Sequence, residues 1–234
     1  ALHDYEAVTR AVGPDTAAVL IEPVQGEGGV RVVEAEFLRH LRRVCDDAGA
    51  LLVYDEVQCG MGRTGRMFAH EWAGVKPDVM ALAKALGGGF PLGACLATEA
   101  AAAGMTAGRH GSTFGGNPLA MAVGNAVMDI LTTPGFLEEV RRRAEALQAG
   151  LGRLVAAYGS VFAGVRGLGM MMGLSCRVPN TEVSRAALEE GVLVIGAADN
   201  VVRVMPPLVI TSEEMDEGLA RLERAAARLA AAAR

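Results

Sequence analysis

Two short apolar runs, each ending on an acidic residue and separated by one amphipathic stretch, constrain this chain more than any other feature. Ala17 to Ile21 is continuously apolar and runs into Glu22-Pro23, and Ala50 to Tyr54 is built alike and runs into Asp55-Glu56-Val57-Gln58. Unbroken runs of this length read as strands buried on both faces, the mark of a parallel sheet. Between them Phe37, Leu38, Leu41, Val44, Cys45 and Ala48 recur at helical spacing over Glu34 to Ala48, and Gly49 is placed to end that helix. Strand, helix, strand at this spacing is a βαβ crossover, so the two strands are parallel neighbours or near neighbours in an α/β sheet.

The pattern extends this sheet and then changes. Asp4 to Val12 reads as a short helix, with Gly13-Pro14-Asp15 as the turn after it. A third apolar run leads from Asp78 to Lys84, and Leu92 to Ala97 is a further strand, antiparallel because only the loop Gly87-Gly88-Gly89 precedes it. Ala120 to Leu131 and Leu137 to Tyr158 are long helices, the second with a solvated basic face at Arg141-Arg142-Arg143, and Pro134-Gly135 between them marks a boundary. Beyond it, short runs at 161–165, 169–175, 192–195 and 201–205 interleave with a helix over about 182–190, a pattern of a small α+β domain. Thr211-Ser-Glu-Glu214 is a capping box for a last helix, with Met215, Leu219, Leu222, Ala226 and Leu229 as its apolar stripe. The expected division is therefore 1–134 and 135–234.

Composition excludes whole classes of function. A formal net charge of −5 gives no basic footprint for nucleic acid. Cys45, Cys59, Cys95 and Cys176 show no C-x-x-C spacing, and His3, His40, His70 and His110 form no ligand pattern, so no metal site is expected. No stretch is long and apolar enough to suggest a membrane span, Ala1-Leu-His-Asp4 is not a signal peptide, and the default location is cytoplasmic. Gly60-Met-Gly62-Arg-Thr-Gly65 spells G-x-G-x-x-G, but no helix opens at its last glycine and no acid follows on a next strand, so it is not a dinucleotide site. Gly87-Gly88-Gly89 is no Walker loop, since the lysine precedes the glycines.

What remains is polar chemistry at strand ends. Glu22 with Glu27, Asp55 with Gln58, and Lys84 all stand at or near C-terminal ends of apolar runs, and in an open α/β sheet such ends converge on one crevice. Lys84 is either a solvated strand terminator or an amine desolvated at a strand rim, the form that attacks carbonyls. The loop Gly108 to Asn117 holds Ser112 and Thr113 ahead of the helix start Asn117-Pro118. It is either a phosphate cradle or a turn that needs glycines. Arg203, alone among apolar residues, is either a carboxylate receptor or an edge-strand surface residue. An acid, a lysine and a hydroxyl loop together meet the needs of pyridoxal 5′-phosphate.

These segments carry a resemblance. Glu22-Pro-Val-Gln-Gly-Glu27-Gly-Gly, Asp55-Glu-Val-Gln58-Cys-Gly-Met-Gly-Arg-Thr-Gly65, Ala83-Lys84-Ala-Leu-Gly-Gly-Gly-Phe-Pro91, His110-Gly-Ser-Thr113-Phe-Gly-Gly-Asn-Pro118 and Val202-Arg203-Val-Met-Pro-Pro207 occur in order. Together they resemble the class III, fold-type-I pyridoxal-phosphate aminotransferases, and within these the acetylornithine branch of arginine biosynthesis. The resemblance implies a mostly parallel sheet with helices on both faces, here the C-terminal portion of the cofactor-binding large domain, followed by the small domain. It implies that Lys84 holds the cofactor aldehyde, Asp55 its pyridine nitrogen and Gln58 its phenolic oxygen. Thr113, with Ser112 beside it, would reach the phosphate of a neighbouring subunit, which implies a homodimer. Arg203 would receive a substrate carboxylate and Glu27 would pair with it until a dicarboxylate displaces the acid.

The implied reaction is transfer of the terminal amino group of N-acetyl-L-ornithine to 2-oxoglutarate, giving glutamate, with ornithine, succinylornithine and 4-aminobutyrate as alternative donors. Members of the family carry a longer N-terminal portion with the main phosphate loop and a ring stacked on the cofactor. The expectation is therefore a fragment, whose activity alone is open, and the contrasting reading is a dimerisation remnant without catalysis.

Overall fold

A computed structural model describes residues 2–232. It divides into two interleaved units. The first runs to Pro23 and takes in Val33–Met61 and Arg66–Phe136; the second takes Val24–Val32, Gly62–Gly65 and the chain from Leu137.

In the first unit, α1 (Tyr5–Ala11) leads into β1 (Ala18–Ile21), and α2 (Ala35–Ala48) connects onward to β4 (Leu51–Asp55); the short β2 (Val24–Gln25) and β3 (Arg31–Val32) between them belong to the second unit. β1 and β4 pair in parallel with Ala18 opposite Leu51, as the crossover requires, and β4 pairs in parallel with β5 (Val79–Leu82). β6 (Ala94–Ala97) closes the sheet antiparallel to β5, giving the order β1-β4-β5-β6. Phe37, Leu38, Leu41 and Cys45 of α2 are buried against Leu52 and Tyr54 of β4, and Tyr5 meets Phe37 edge to face at 5.1 Å. Gly49 stops α2 at φ 69°, the left-handed region that costs a side chain but not glycine. Two helices complete the unit: α3 (Glu99–Ala102), and α4 (Pro118–Leu131), which starts where Asn117 caps the Ala120 amide at 2.9 Å.

In the second unit, α5 (Phe136–Ala157) enters from the boundary, and β7 (Phe162–Leu168) and β8 (Met171–Cys176) form a hairpin. α6 (Asn180–Glu189) then precedes β9 (Ile195–Ala197) and β10 (Val201–Val204), and the antiparallel order is β7-β8-β10-β9. α7 (Ser212–Ala232) opens with the anticipated capping box, Thr211 N–H to Glu214 at 2.9 Å and Glu214 N–H to Thr211 Oγ1 at 3.2 Å. Its buried residues Met215, Leu222, Ala225 and Ala226, with Leu147, Leu151 and Leu154 of α5 and Met172, Leu174 and Val202 of the sheet, belong to the apolar interior of this unit. Among the described residues no single helix is long and apolar enough to cross a membrane.

Candidate active site

Parallel pairing brings the C-terminal ends of β1, β4 and β5 to one edge of the sheet, so Glu22, Asp55 and the approach to Lys84 share that edge. Asp55, the last residue of β4, sits opposite Ala81 of β5, and Lys84 follows just after that neighbouring strand ends at Leu82. Asp55 is half-buried, and its Oδ1 accepts from the Val57 amide at 2.9 Å. Gln58, also half-buried, lies in the turn that follows, which Gly60 N–H closes onto the Glu56 carbonyl at 2.9 Å.

Lys84 is not at the end of a strand. Ala83 leaves β5, and Lys84 begins one 3-10 turn, Lys84–Gly87, with φ at 45°. A left-handed conformation at a non-glycine residue costs on the order of 1–2 kcal/mol and is held only where the surroundings enforce it. Here Leu86 N–H to the Ala83 carbonyl at 2.9 Å and Gly88 N–H to Ala85 at 3.1 Å enforce it. The side chain is exposed, so the desolvated-rim reading does not hold for this chain as it stands.

Two adjacent acids at the end of β4 face different tasks, because side chains alternate across a strand. Glu56 is 1% exposed. Its carboxylate accepts from Ala69 N–H at 2.6 Å, from His70 N–H at 2.9 Å and meets His70 Nδ1 at 2.8 Å. The His70 ring stacks on Phe68 at 5.7 Å. Glu56 and His70 were not singled out by the sequence; the signal was available only as an acid that the strand period sends to the buried face. Burial pushes the neighbouring Tyr54 phenol far above its ordinary value, and its hydroxyl has no hydrogen-bond partner among the described residues.

The loop of Ser112 and Thr113 stays at the surface of the first unit. Ser112 Oγ accepts from Gly115 N–H at 2.9 Å, Thr113 is exposed and Phe114 is 80% exposed.

In the second unit Glu27, at the tip of the β2-β3 hairpin, and Arg203, on β10, form an ion pair of 2.5 Å. Arg203 keeps only 10% of its side-chain surface in solvent, Glu27 as much as 73%, so the arginine is set in the fold and the acid lies over it from outside. Gly60 to Gly65, set aside above as a nucleotide site, has a structural part here: the Arg63 guanidinium donates to the Pro206 carbonyl at 2.6 Å just beyond β10, and its carbonyl accepts from Met170 N–H at 2.9 Å. Burial lowers the Arg63 pKa. Among the described residues no group of three or more His, Cys, Asp or Glu is placed to hold a metal ion.

An acid at the end of one strand and a lysine in the turn after its parallel neighbour suit a cofactor with a basic ring nitrogen and an aldehyde, so the residues present fit pyridoxal phosphate. The sequence matches the family Aminotransferase class-III over residues 1–226, and the chain belongs to that family, whose members are pyridoxal-phosphate-dependent. Among relatives, the acetylornithine aminotransferase of Mesorhizobium japonicum is 56% identical over 227 residues, 97% of this chain and 57% of the relative. Among solved structures, the N-acetylornithine aminotransferase of Stenotrophomonas maltophilia is similar at a TM-score of 0.87 and 42% identity, over 98% of this chain and 61% of that one. The ornithine aminotransferase of Toxoplasma gondii is similar at 0.91 and 32% identity, over 97% of this chain and 55% of that one. The chain thus spans little more than half the length of the curated relatives it matches.

Proposed function

We propose that the protein carrying this chain transfers the terminal amino group of N-acetyl-L-ornithine to 2-oxoglutarate as a cytoplasmic homodimer. The observation that carries the reading is Asp55 at the end of β4 beside Lys84 in the turn that follows the neighbouring parallel strand β5; the choice of donor rests on the similarity to acetylornithine aminotransferases. The cofactor supplies an aldehyde that takes up the amino group and a ring that draws electrons from the adjacent carbon.

Asp55 would offer its carboxylate to the ring nitrogen and keep it protonated, while its Oδ1 accepts from the Val57 amide at 2.9 Å. Gln58 donates to the phenolic oxygen. Lys84 Nζ would hold the cofactor aldehyde and, once displaced by the donor's amine, would serve as the base that moves the proton from the carbon bearing that amine. Its backbone lies in a hydrogen-bonded turn with φ 45°. Thr113, on its exposed loop, reaches the phosphate of the neighbouring subunit. Arg203 receives the carboxylate of 2-oxoglutarate, and Glu27 occupies Arg203 while the amino donor is bound, which lets one site accept two charge patterns.

Steady-state rates of the intact protein with N-acetylornithine, ornithine, succinylornithine and 4-aminobutyrate test the assignment. N-acetylornithine is expected to give the highest kcat/KM, and its ranking last would overturn the choice of substrate. Ornithine is the second reading, favoured by the likeness to the Toxoplasma enzyme. Borohydride reduction in the presence of pyridoxal phosphate, followed by peptide mapping, is expected to label Lys84; label elsewhere or none would remove catalysis by this site.

A further inference from the structure

The loop that carries Glu27 is strained, and the strain has a holder. Gly29 has φ 101°, and a Cβ there would come within 2.8 Å of the Ala198 carbonyl. Val30, a β-branched residue with 0% exposure, has φ 52°. A β-branched side chain in that region is an outlier, and such outliers persist only where the surroundings over-determine them. Val30 is fitted against Gly173 of β8, where a Cβ would lie 3.0 Å from its Cγ2.

The surroundings converge on Asp199, in the turn between β9 and β10. Asp199 and Asn200 adopt φ 58° and 54°, which these residue types tolerate better than most. Asn200 ties the turn down by donating to the carbonyls of Cys176 at 2.8 Å and Val178 at 2.9 Å. From the fixed turn, Ala198 N–H donates to the Glu27 carbonyl at 3.0 Å. The Asp199 carboxylate takes Arg31 Nε at 2.8 Å and Arg166 Nη1 at 3.4 Å. Arg166, on β7, also donates to the Gly29 carbonyl at 3.1 Å and to Ser175 Oγ at 3.0 Å. The segment from Glu27 to Arg31 is therefore held at three points: the Ala198 amide on the Glu27 carbonyl, Arg166 on the Gly29 carbonyl, and the Asp199 carboxylate on Arg31. From this held backbone the Glu27 carboxylate, 73% exposed, reaches Arg203.

We infer that Asp199, with Arg166 and Arg31, is a positioning residue that fixes the strained loop 26–30 so that the Glu27 carboxylate competes with an incoming dicarboxylate for Arg203. The inference rests on the gate assigned to Glu27 above and adds what sets its strength. An ion pair with an exposed partner is weak when that partner must be ordered at the moment of pairing, and a backbone held in advance removes part of that ordering. The clamp thus tunes how readily 2-oxoglutarate, rather than the amino donor, gains the arginine.

The test is calorimetric binding of glutarate, a dicarboxylate with neither amine nor keto group, to the intact holoenzyme and to E27Q, D199N and the double variant. E27Q is expected to tighten glutarate by about tenfold and D199N by about threefold, within the range for coupled neighbours. D199N added to E27Q is expected to change nothing further, since Asp199 acts through Glu27. Equal tightening by D199N with and without Glu27 would overturn the inference, as would no effect of D199N beside a clear effect of E27Q. No effect of E27Q would instead remove the gate itself. R166K, which keeps the charge but loses the fork to Gly29 and Asp199, is expected to repeat D199N, and decides the matter should D199N fold poorly.

Discussion

At the scale of single residues, the site is a set of side chains whose surroundings assign their work. Lys84 is the residue on which the proposed reaction depends most. Substitution by arginine keeps the charge and the exposed position but removes the nucleophilic amine, and the turnover of the intact enzyme is expected to fall by about 10²–10⁴-fold, the usual worth of a positioned proton carrier; stopped-flow or steady-state assay measures it. Glu56 is a different kind of acid. Changing it to alanine leaves buried amides at Ala69 and His70 and an imidazole nitrogen without their acceptor, at an expected cost of about 3–5 kcal/mol in urea unfolding, with no direct loss of substrate contact. Asp78 links stability to pH. Burial raises its carboxyl, but the Leu52 amide at 2.7 Å and Arg42 at 2.8 Å outweigh burial and hold it below the ordinary value. A carboxylate lowered in the folded state binds fewer protons there than in the unfolded chain. Its contribution is complete above the usual aspartate range and is lost as pH falls through the lowered value. D78N is therefore expected to flatten the dependence of the urea midpoint on pH below about pH 4 while lowering the midpoint near neutrality.

At the scale of elements, most of the architecture was legible because periodicity and end signals agree. The βαβ unit follows from the two apolar runs and the stripe of Phe37, Leu38, Leu41 and Cys45, and the antiparallel β6 follows from the shortness of the glycine loop before it. Caps were legible in both units, at Gly49 and at Thr211-Glu214. Gly49→Ala is expected to cost about 1 kcal/mol, a purely backbone effect because a Cβ there meets nothing within 4 Å; chemical denaturation measures it. The β2-β3 hairpin was not legible, since each arm is two residues long and gives no period to read. Nor was the turn that begins at Lys84: an apolar run shows where a strand should end, not that the next residue takes φ 45°. The clamp at Asp199 was the least accessible, because Arg31 and its carboxylate are 168 positions apart and both are ordinary surface types.

At the scale of the whole molecule, the proposed dimer makes cofactor affinity depend on protein concentration. If Thr113 completes the phosphate site across an interface, dilution below the dimer dissociation constant is expected to weaken pyridoxal phosphate binding by mass action, and T113A is expected to reduce that dependence. Fluorescence titration at several protein concentrations checks it, and affinity unaffected by dilution across the monomer-dimer transition would argue against a shared site.

The interleaving of the two units also bears on how the polypeptide is made. Val24–Val32 and Gly62–Gly65 emerge early, yet they belong with strands that emerge only after Leu137. The Arg31 ion pair with Asp199 and the Arg63 bond to Pro206 cannot form until most of the chain has left the ribosome. Such long loop closures slow folding and leave early segments waiting. Expressing the sequence as two pieces divided at Phe136 and Leu137 would strand both loops on the wrong piece, so each piece would need the other present while it folds.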